Sequence, residues 1–350
     1  MLKNRLVIFF LSLAVFLFMS NPVFAGIGNI AKQSGAAFFK AKGQKDWIAA
    51  VQEKELNQGD RLKTGDDGRM ELSLNDGSKL ALGNSTELEI TEFLLSKTKR
   101  NATVFLLQGK LRASVASFSG KTNMNIKTPT AVAGIKGTDF IAMNQGKANV
   151  FFGQEGTVSV SGTDKERVAL LPDTMTENTR GHKPIEPVKV EPDTPLFDAR
   201  KLLVDVTTVD VPVEWKETGK LPLILARWNI NYGHYLADAG KYKEALEVLQ
   251  IALDLTESPD TSADAHLERG TILSRYLNMP EDALKEYQTV IDKYSQMPQK
   301  ENAVYSSGVI YMDIGNKAKA REFFKEYLKS YPQGKHAATV DLMLEKLEKE

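Results

Sequence analysis

From Gly26 to about Leu171, apolar and polar residues alternate with a period near two. Met70-Glu71-Leu72-Ser73-Leu74 leads into Asn75-Asp76-Gly77, and Lys79-Leu80-Ala81-Leu82 leads out. Alternation of this kind turns one face of a strand inward, and Asp-Gly between two such runs predicts a hairpin, because glycine accepts positive φ without steric cost. Thr103 to Val115 and Ala148 to Val160 carry the same pattern. A short motif also recurs: Val104-Phe105 precedes Gly109-Lys110-Leu111, and Val150-Phe151 precedes Gly156-Thr157-Val158. Glycine-punctuated short strands predict an all-β domain over 26–171, either a sandwich or an irregular β-solenoid.

The pattern then breaks. Pro172, Pro184, Pro187, Pro192 and Pro195 lie among Thr, Glu, Asp and Lys. Without apolar periodicity, the segment 172–222 reads as a Pro-rich linker with an extended stretch. Leu203-Val204-Asp205-Val206 and Val209 to Val213 look extended, although Pro212 argues against a central strand.

From Leu223 the period becomes helical and a unit repeats. Gly233, Leu236, Gly240, Tyr242, Ala245 and Leu249 form one set. Gly308, Tyr311, Gly315, Ala320, Phe324 and Pro332 form another at matching offsets. Ala283 with Tyr287 and Val290 marks a looser middle copy, whose first helix holds Gly270. Small residues let two helices approach, and the large residue four positions after each alanine (Leu249, Tyr287, Phe324) is expected to fill the groove towards the next unit. The spacing slightly exceeds ~34 residues, and over about 225 to 335 the pattern resembles tetratricopeptide repeats. His336 to Glu350 reads as the terminal solvating helix of an all-α solenoid over 223–350.

Composition and charge narrow the function classes. Lys and Arg total 45, as do Asp and Glu, so no global field draws the chain to nucleic acid or anionic lipid. Cysteine is absent, which removes disulfides, thiolate metal sites and a lipidation cysteine. Lys3 and Arg5 precede an apolar run from Leu6 to Met19, and Asn21-Pro22 precedes Ala25. This reads as a bacterial signal peptide over 1–25, cleaved after Ala25, with no integral membrane segment afterwards. The periplasm or secretion is the expected destination.

Candidate chemistry is sparse. No two of His182, His234, His266 and His336 stand at metal-ligand spacing, and the β half has no histidine for a Ser-His-Asp triad. Asp60, Asp66, Asp67 and Asp76 lie beside glycines, where turn chemistry puts aspartate. Lys97, Lys99 and Arg100 form a basic cluster without interleaved aromatics, which reads as a solvated loop. No catalytic, metal or cofactor set emerges, and the chain reads as a non-enzyme.

The stretch Thr128-Pro129-Thr130-Ala131-Val132-Ala133-Gly134-Ile135-Lys136-Gly137-Thr138-Asp139-Phe140 describes a backbone that bends tightly and re-enters a strand. It resembles the signature of the FecR domain through Thr128, Pro129, Ala131, Gly134, Lys136, Gly137, Thr138 and Phe140. Leu56 to Gly65, Leu74 to Leu80 and Leu107 to Leu111 match further pieces, so the resemblance spans about Ile30 to Gly162. It implies a periplasmic β module. In the founding regulators this domain relays a signal to a sigma factor, but here only Met1 to Arg5 precede the apolar run. The expectation is therefore an adaptor or scaffold of the cell envelope: the β module engages an envelope component and the repeats bind a protein. A signalling protein anchored by an uncleaved leader, and a peptidoglycan- or carbohydrate-binding protein, are the alternatives.

Overall fold

The computed structural model describes residues 26–163, 166–209 and 220–349; the expected leader, with Ala25, and most of the 209–213 stretch lie outside them. An all-β body is followed by helices. Two sheets, each of nine strands, share one long strand. In sheet A the order is β4 (Glu55–Leu56), β1 (Gly28–Ser34), β6 (Arg69–Leu74), β7 (Lys79–Leu82), β9 (Lys99–Ser114), β12 (Asp139–Gln145), β13 (Ala148–Glu155), β16 (Thr174–Asn178) and β17 (Val188–Lys189). In sheet B it is β3 (Ile48–Ala49), β2 (Ala37–Lys40), β5 (Arg61–Thr64), β8 (Glu87–Leu95), β9 again, β10 (Lys121–Lys127), β11 (Val132–Ile135), β14 (Val158–Ser161) and β15 (Arg167–Leu170). Every described pairing is antiparallel except β9 with β10.

β9 passes from one sheet to the other at Gly109. Up to Gln108 it pairs with β8, and from Gly109 it pairs with β12. Gly109 has φ +99°, and a Cβ there would lie 2.3 Å from Thr86 Oγ1, so both conformation and space demand glycine. The two sheets enclose one apolar core to which alternate residues contribute, among them Leu62, Leu72, Leu80, Val104, Leu111, Ile126, Phe140 and Phe151. The architecture is a sandwich. The hairpin read at Asp76-Gly77 joins β6 to β7, with Gly77 at φ +84°.

The basic cluster is a loop only at Lys97, which lies exposed between β8 and β9. Lys99 and Arg100 open β9, and Arg100 points inward at one end of the core. Its Nη1 donates to Asp76 Oδ2 at 2.8 Å and to the Ala116 carbonyl at 2.9 Å, and its Nε donates to Thr122 Oγ1 at 3.0 Å. Alternation put a cation on the core face, and a turn aspartate neutralises it.

The segment read as a linker is likewise built into the fold. β16 pairs with β13 through Phe151↔Thr176 and Phe152↔Met175. Leu203 to Val206, read as extended, close α1 (Pro195–Val206), whose Thr194 side chain caps the Phe197 amide at 3.3 Å. The reason is spacing: Leu196, Ala199, Leu203 and Val206 make a helical stripe that is buried together with sheet A.

Helices α2 (Leu221–Asp238), α3 (Tyr242–Leu255), α4 (Pro259–Arg275), α5 (Pro280–Lys293), α6 (Gln299–Asp313), α7 (Lys317–Ser330) and α8 (Ala337–Lys349) follow. They form three hairpin units and a terminal helix. A second core joins the halves. Ile141 and Met143 of β12, Val150 and Phe152 of β13 and Met175 of β16 pack in one cluster with Leu203 of α1, Leu225 and Ile230 of α2 and Val248 and Ile251 of α3. β13 is therefore buried on both faces. In α8 only Val340 and Leu347 are buried, whereas Leu342 is 68 % exposed.

Candidate functional site

The FecR-like signature divides into residues that hold the fold and residues that face outward. Thr128 Oγ1 accepts from the amides of Thr130 and Ala131, at 3.3 and 2.9 Å, which closes a tight turn around exposed Pro129. Gly137 has φ +61° where the chain crosses from β11 in sheet B to β12 in sheet A. Thr138 is buried, and Phe140 lies in the sandwich core. Asp139 accepts a bidentate pair from Arg112, at 3.1 and 2.8 Å, plus the Ser114 hydroxyl at 2.9 Å. The hydrogen bond with Asp139 raises the pKa of the Arg112 guanidinium by more than burial lowers it. Val132, Gly134 and Lys136 look outward over sheet B. Gly134, expected to bend the chain, instead sits in regular β11 pairing, opposite Asn125 and Ser159.

Behind the signature turn lies a polar layer that sequence reasoning missed. Asn149 Nδ2 donates to Thr130 Oγ1 at 2.5 Å and to Asn178 Oδ1 at 3.1 Å. Asn144 Nδ2 donates to Asn149 Oδ1 at 2.8 Å, and Asn178 Nδ2 donates to the Thr130 carbonyl at 3.0 Å. The three asparagines are fully buried. Next in the chain, Thr179 donates to Asp254 of α3, which also faces Lys147 at 3.7 Å. The signature turn is thus tied through sheet A to the first helical unit.

One carboxyl is sealed in this junction. Glu177 of β16 is fully buried and receives Asn229 Nδ2 of α2 at 3.1 Å on Oε2. Burial pushes its pKa from 4.5 up to about 8, against the smaller opposing pull of the Asn229 hydrogen bond. At neutral pH the group is mostly the neutral acid. Glu177 Oε1 and Asn229 Oδ1 are buried without a hydrogen-bond partner among the described residues. Nothing in Thr176-Glu177-Asn178 announces this locally.

In the helical half, each unit places a glycine of its first helix under a large side chain of its second. A Cβ on Gly233 would lie 2.9 Å from Leu249, on Gly270 2.4 Å from Tyr287 and on Gly308 2.5 Å from Phe324. The large residues therefore cover the glycine of their own unit, not the groove towards the next, and the middle unit is built like its neighbours. Ala245, Ala283 and Ala320 are fully buried, and Pro332 lies exposed in the turn before α8. Between α4 and α6, the first helices of adjacent units, a hollow of about 330 Å³ is lined by Arg275, Asn278, Tyr305, Val309, Asp313 and Ile314 among others. Tyr242 stacks on Tyr276 at 4.7 Å, and Tyr235 is 66 % exposed.

The histidines have ordinary partners. His266 Nδ1 contacts Glu286 Oε2 at 2.6 Å, beside Arg269, and His336 stacks on Tyr305 at 3.9 Å. His182 and His234 face Glu247 and Glu268 across exposed surface. Asp60 Oδ2 accepts the Asn57 amide and Asp67 Oδ1 the Ala36 amide, while Asp66 Oδ1 accepts the Ser85 hydroxyl. These aspartates organise turns. Among the described residues, no group of His, Asp and Glu is arranged to hold a metal, and no helix is long and apolar enough to cross a membrane.

Comparison with known families agrees with this geometry. Residues 60–159 match the family model "FecR protein", and residues 274–335 match a tetratricopeptide repeat model. No curated protein matches the chain. Among solved structures, a protein described as an anti-sigma factor candidate from Parabacteroides distasonis is 17 % identical, with a TM-score of 0.33 over 40 % of this chain. The chain spans 64 % of that protein's length. PcrH from Pseudomonas aeruginosa is 19 % identical, covering 35 % of this chain and 91 % of its own, with a TM-score of 0.30. The second tetratricopeptide domain of human RPAP3, in complex with an HSP70 peptide, is 21 % identical over 37 % of this chain and 99 % of its own, TM-score 0.30. The chain carries a FecR domain and C-terminal tetratricopeptide repeats.

Proposed function

For a chain that joins a FecR domain to tetratricopeptide repeats, we propose the role of a non-enzymatic adaptor in the bacterial cell envelope, exported by its N-terminal leader. The repeats hold a protein segment in the hollow between α4 and α6, and the β module engages a second envelope component. The observation that carries this reading is the shared core between sheet A and the first helices. A permanently sealed junction leaves the two halves fixed to each other, and each keeps a separate surface for something else. The hollow mixes one cation, one anion, an amide and apolar walls, a set suited to a peptide backbone with alternating side chains.

Site-directed photocrosslinking in intact cells tests the repeats. A crosslinker at Asn278 or Ile314, both at the hollow, should capture one protein that a crosslinker at exposed Leu342 does not. Identical capture from all three positions, or none, contradicts the reading. The mass of the mature chain tests export: a start at Gly26 is expected, and a full-length chain retained in the cytoplasm contradicts it.

A further inference from the structure

The outward face of sheet B over β10, β11, β14 and β15 is a groove with an unusual floor. Register places Thr103, Asn125, Gly134 and Ser159 in one row across four strands, and Val132, Ser161 and Arg167 in the next. A hollow of about 380 Å³ lies over this surface, lined by Asn123, Asn125, Ser159, Ser161, Lys136 and Arg167 around Gly134. It runs on into a second hollow of about 750 Å³ where Lys99 and Lys121 join Lys136.

Gly134 has no structural reason to be glycine. Its φ is not positive, and a Cβ would meet nothing nearer than Asn125 Oδ1 at 3.6 Å and Ser159 O at 3.7 Å, which is ordinary contact. Glycine inside a strand weakens it, and it commonly marks a place where another molecule approaches the backbone. Here any side chain would rise from the middle of the groove floor.

The charges point the same way. On the other half of this face Arg61 is paired with Glu87 and Glu89. In the groove, Lys99, Lys121, Lys136 and Arg167 form no ion pair among the described residues, and no described carboxylate lines either hollow. Four unneutralised cations around amides and hydroxyls favour an anionic ligand rich in hydroxyl groups. Among the described residues no aromatic side chain lines the groove to stack a nucleobase, and no deep apolar pocket takes a peptide side chain.

We propose that this groove binds an acidic polysaccharide strand, its carboxylates or phosphates held by Lys99, Lys121, Lys136 and Arg167 and its sugar faces lying flat over Gly134. The amides of Asn123 and Asn125 and the hydroxyls of Ser159 and Ser161 meet the sugar hydroxyls. This deepens the reading of the β module as a second binding element and names its ligand class.

Affinity electrophoresis of the full-length mature chain tests it, with gels containing polygalacturonate, a phosphorylated mannan, neutral dextran, or polyphosphate as a sugar-free polyanion. Retardation by polygalacturonate or the phosphomannan, with dextran inert, is expected; which of the two retards identifies the anion. Gly134→Val adds a residue with better strand propensity and should leave thermal unfolding unimpaired while weakening retardation about tenfold, the loss of roughly one good contact. Lys136→Glu with Arg167→Glu should abolish it. Asn125→Ala should weaken binding to the glycan and leave polyphosphate unaffected. The proposal falls if neither acidic glycan retards the chain, if polyphosphate binds as well as the glycans, or if Gly134→Val, still folded, binds like the parent. Crosslinking at Asn278 does not involve this groove, so its outcome separates failure here from failure of the adaptor reading.

Discussion

The two outer faces of the sandwich have opposite fates. On sheet A, β12, β13 and β16 turn Ile141, Met143, Val150, Phe152 and Met175 outward, and helices α1 to α3 bury them all. On sheet B, the equivalent outward positions of β10, β11 and β14 are Asn123, Asn125, Gly134, Ser159 and Ser161, with Val132 the one apolar side chain among them, and they remain accessible. An apolar face of that size cannot stay in water, so its cover is a permanent part of the fold. A polar, cationic face is stable uncovered and is free for a reversible ligand. Chemistry alternates between strands of one domain, and that alternation decides which neighbour is built in and which is recruited.

The largest predicted effect breaks the sealed face. Phe152→Ala should destabilise the chain by about 3–5 kcal/mol in chemical denaturation, because it removes a fully buried ring from the joint core. A loss comparable to that of a surface substitution would mean that the helices merely rest on the sheet.

Second is the pH dependence of the same junction. The folded-state pKa of Glu177 is raised from 4.5 to about 8, so the native state binds more protons than the unfolded state between those values. The stability tied to this proton is therefore full below about pH 4.5 and is lost as pH rises to about 8, with a slope of at most about 1.4 kcal/mol per pH unit. Glu177→Gln keeps the partner of Asn229 without the charge. It should flatten the decline seen in denaturant titrations from pH 5 to 8, and an unchanged slope would show that other groups cause it.

Third, Gly308→Leu should cost about 1–3 kcal/mol through collision with Phe324, measured by thermal unfolding of the helical signal. Set beside Gly134→Val, it contrasts a glycine demanded by packing with one that packing does not require. Smallest of all, Ser159→Ala on the open face should shift stability by no more than about 0.5 kcal/mol. A larger shift would show that sheet B has a cover of its own.

Much of this organisation was legible in the chain. Period-two alternation marked the strands, Asp76-Gly77 marked a hairpin, and the alanine and glycine offsets marked the helical units, because each depends on neighbours close in sequence. The junction was not legible for a physical reason. Thr176, Glu177 and Asn178 look like solvated polar residues, and only α2 and Thr130, distant in sequence, satisfy them. Leu203 to Val206 alternate like a strand until Leu196 and Ala199 are counted with them. Arg100 read as surface because its counter-charge, Asp76, stands across a hairpin. The middle unit looked loose, although Gly270 beneath Tyr287 repeats the arrangement of its neighbours.

Amide hydrogen exchange of β13 tests the central claim, that sheet A is sealed by helices and cannot stand without them. The mature full-length chain is compared with one ending at Thr194. The account predicts strong protection of Val150 to Phe152 in the full chain, and its loss, with binding of an apolar dye, once α1 and all that follows are removed. Equal protection in both, with no dye bound, would contradict it.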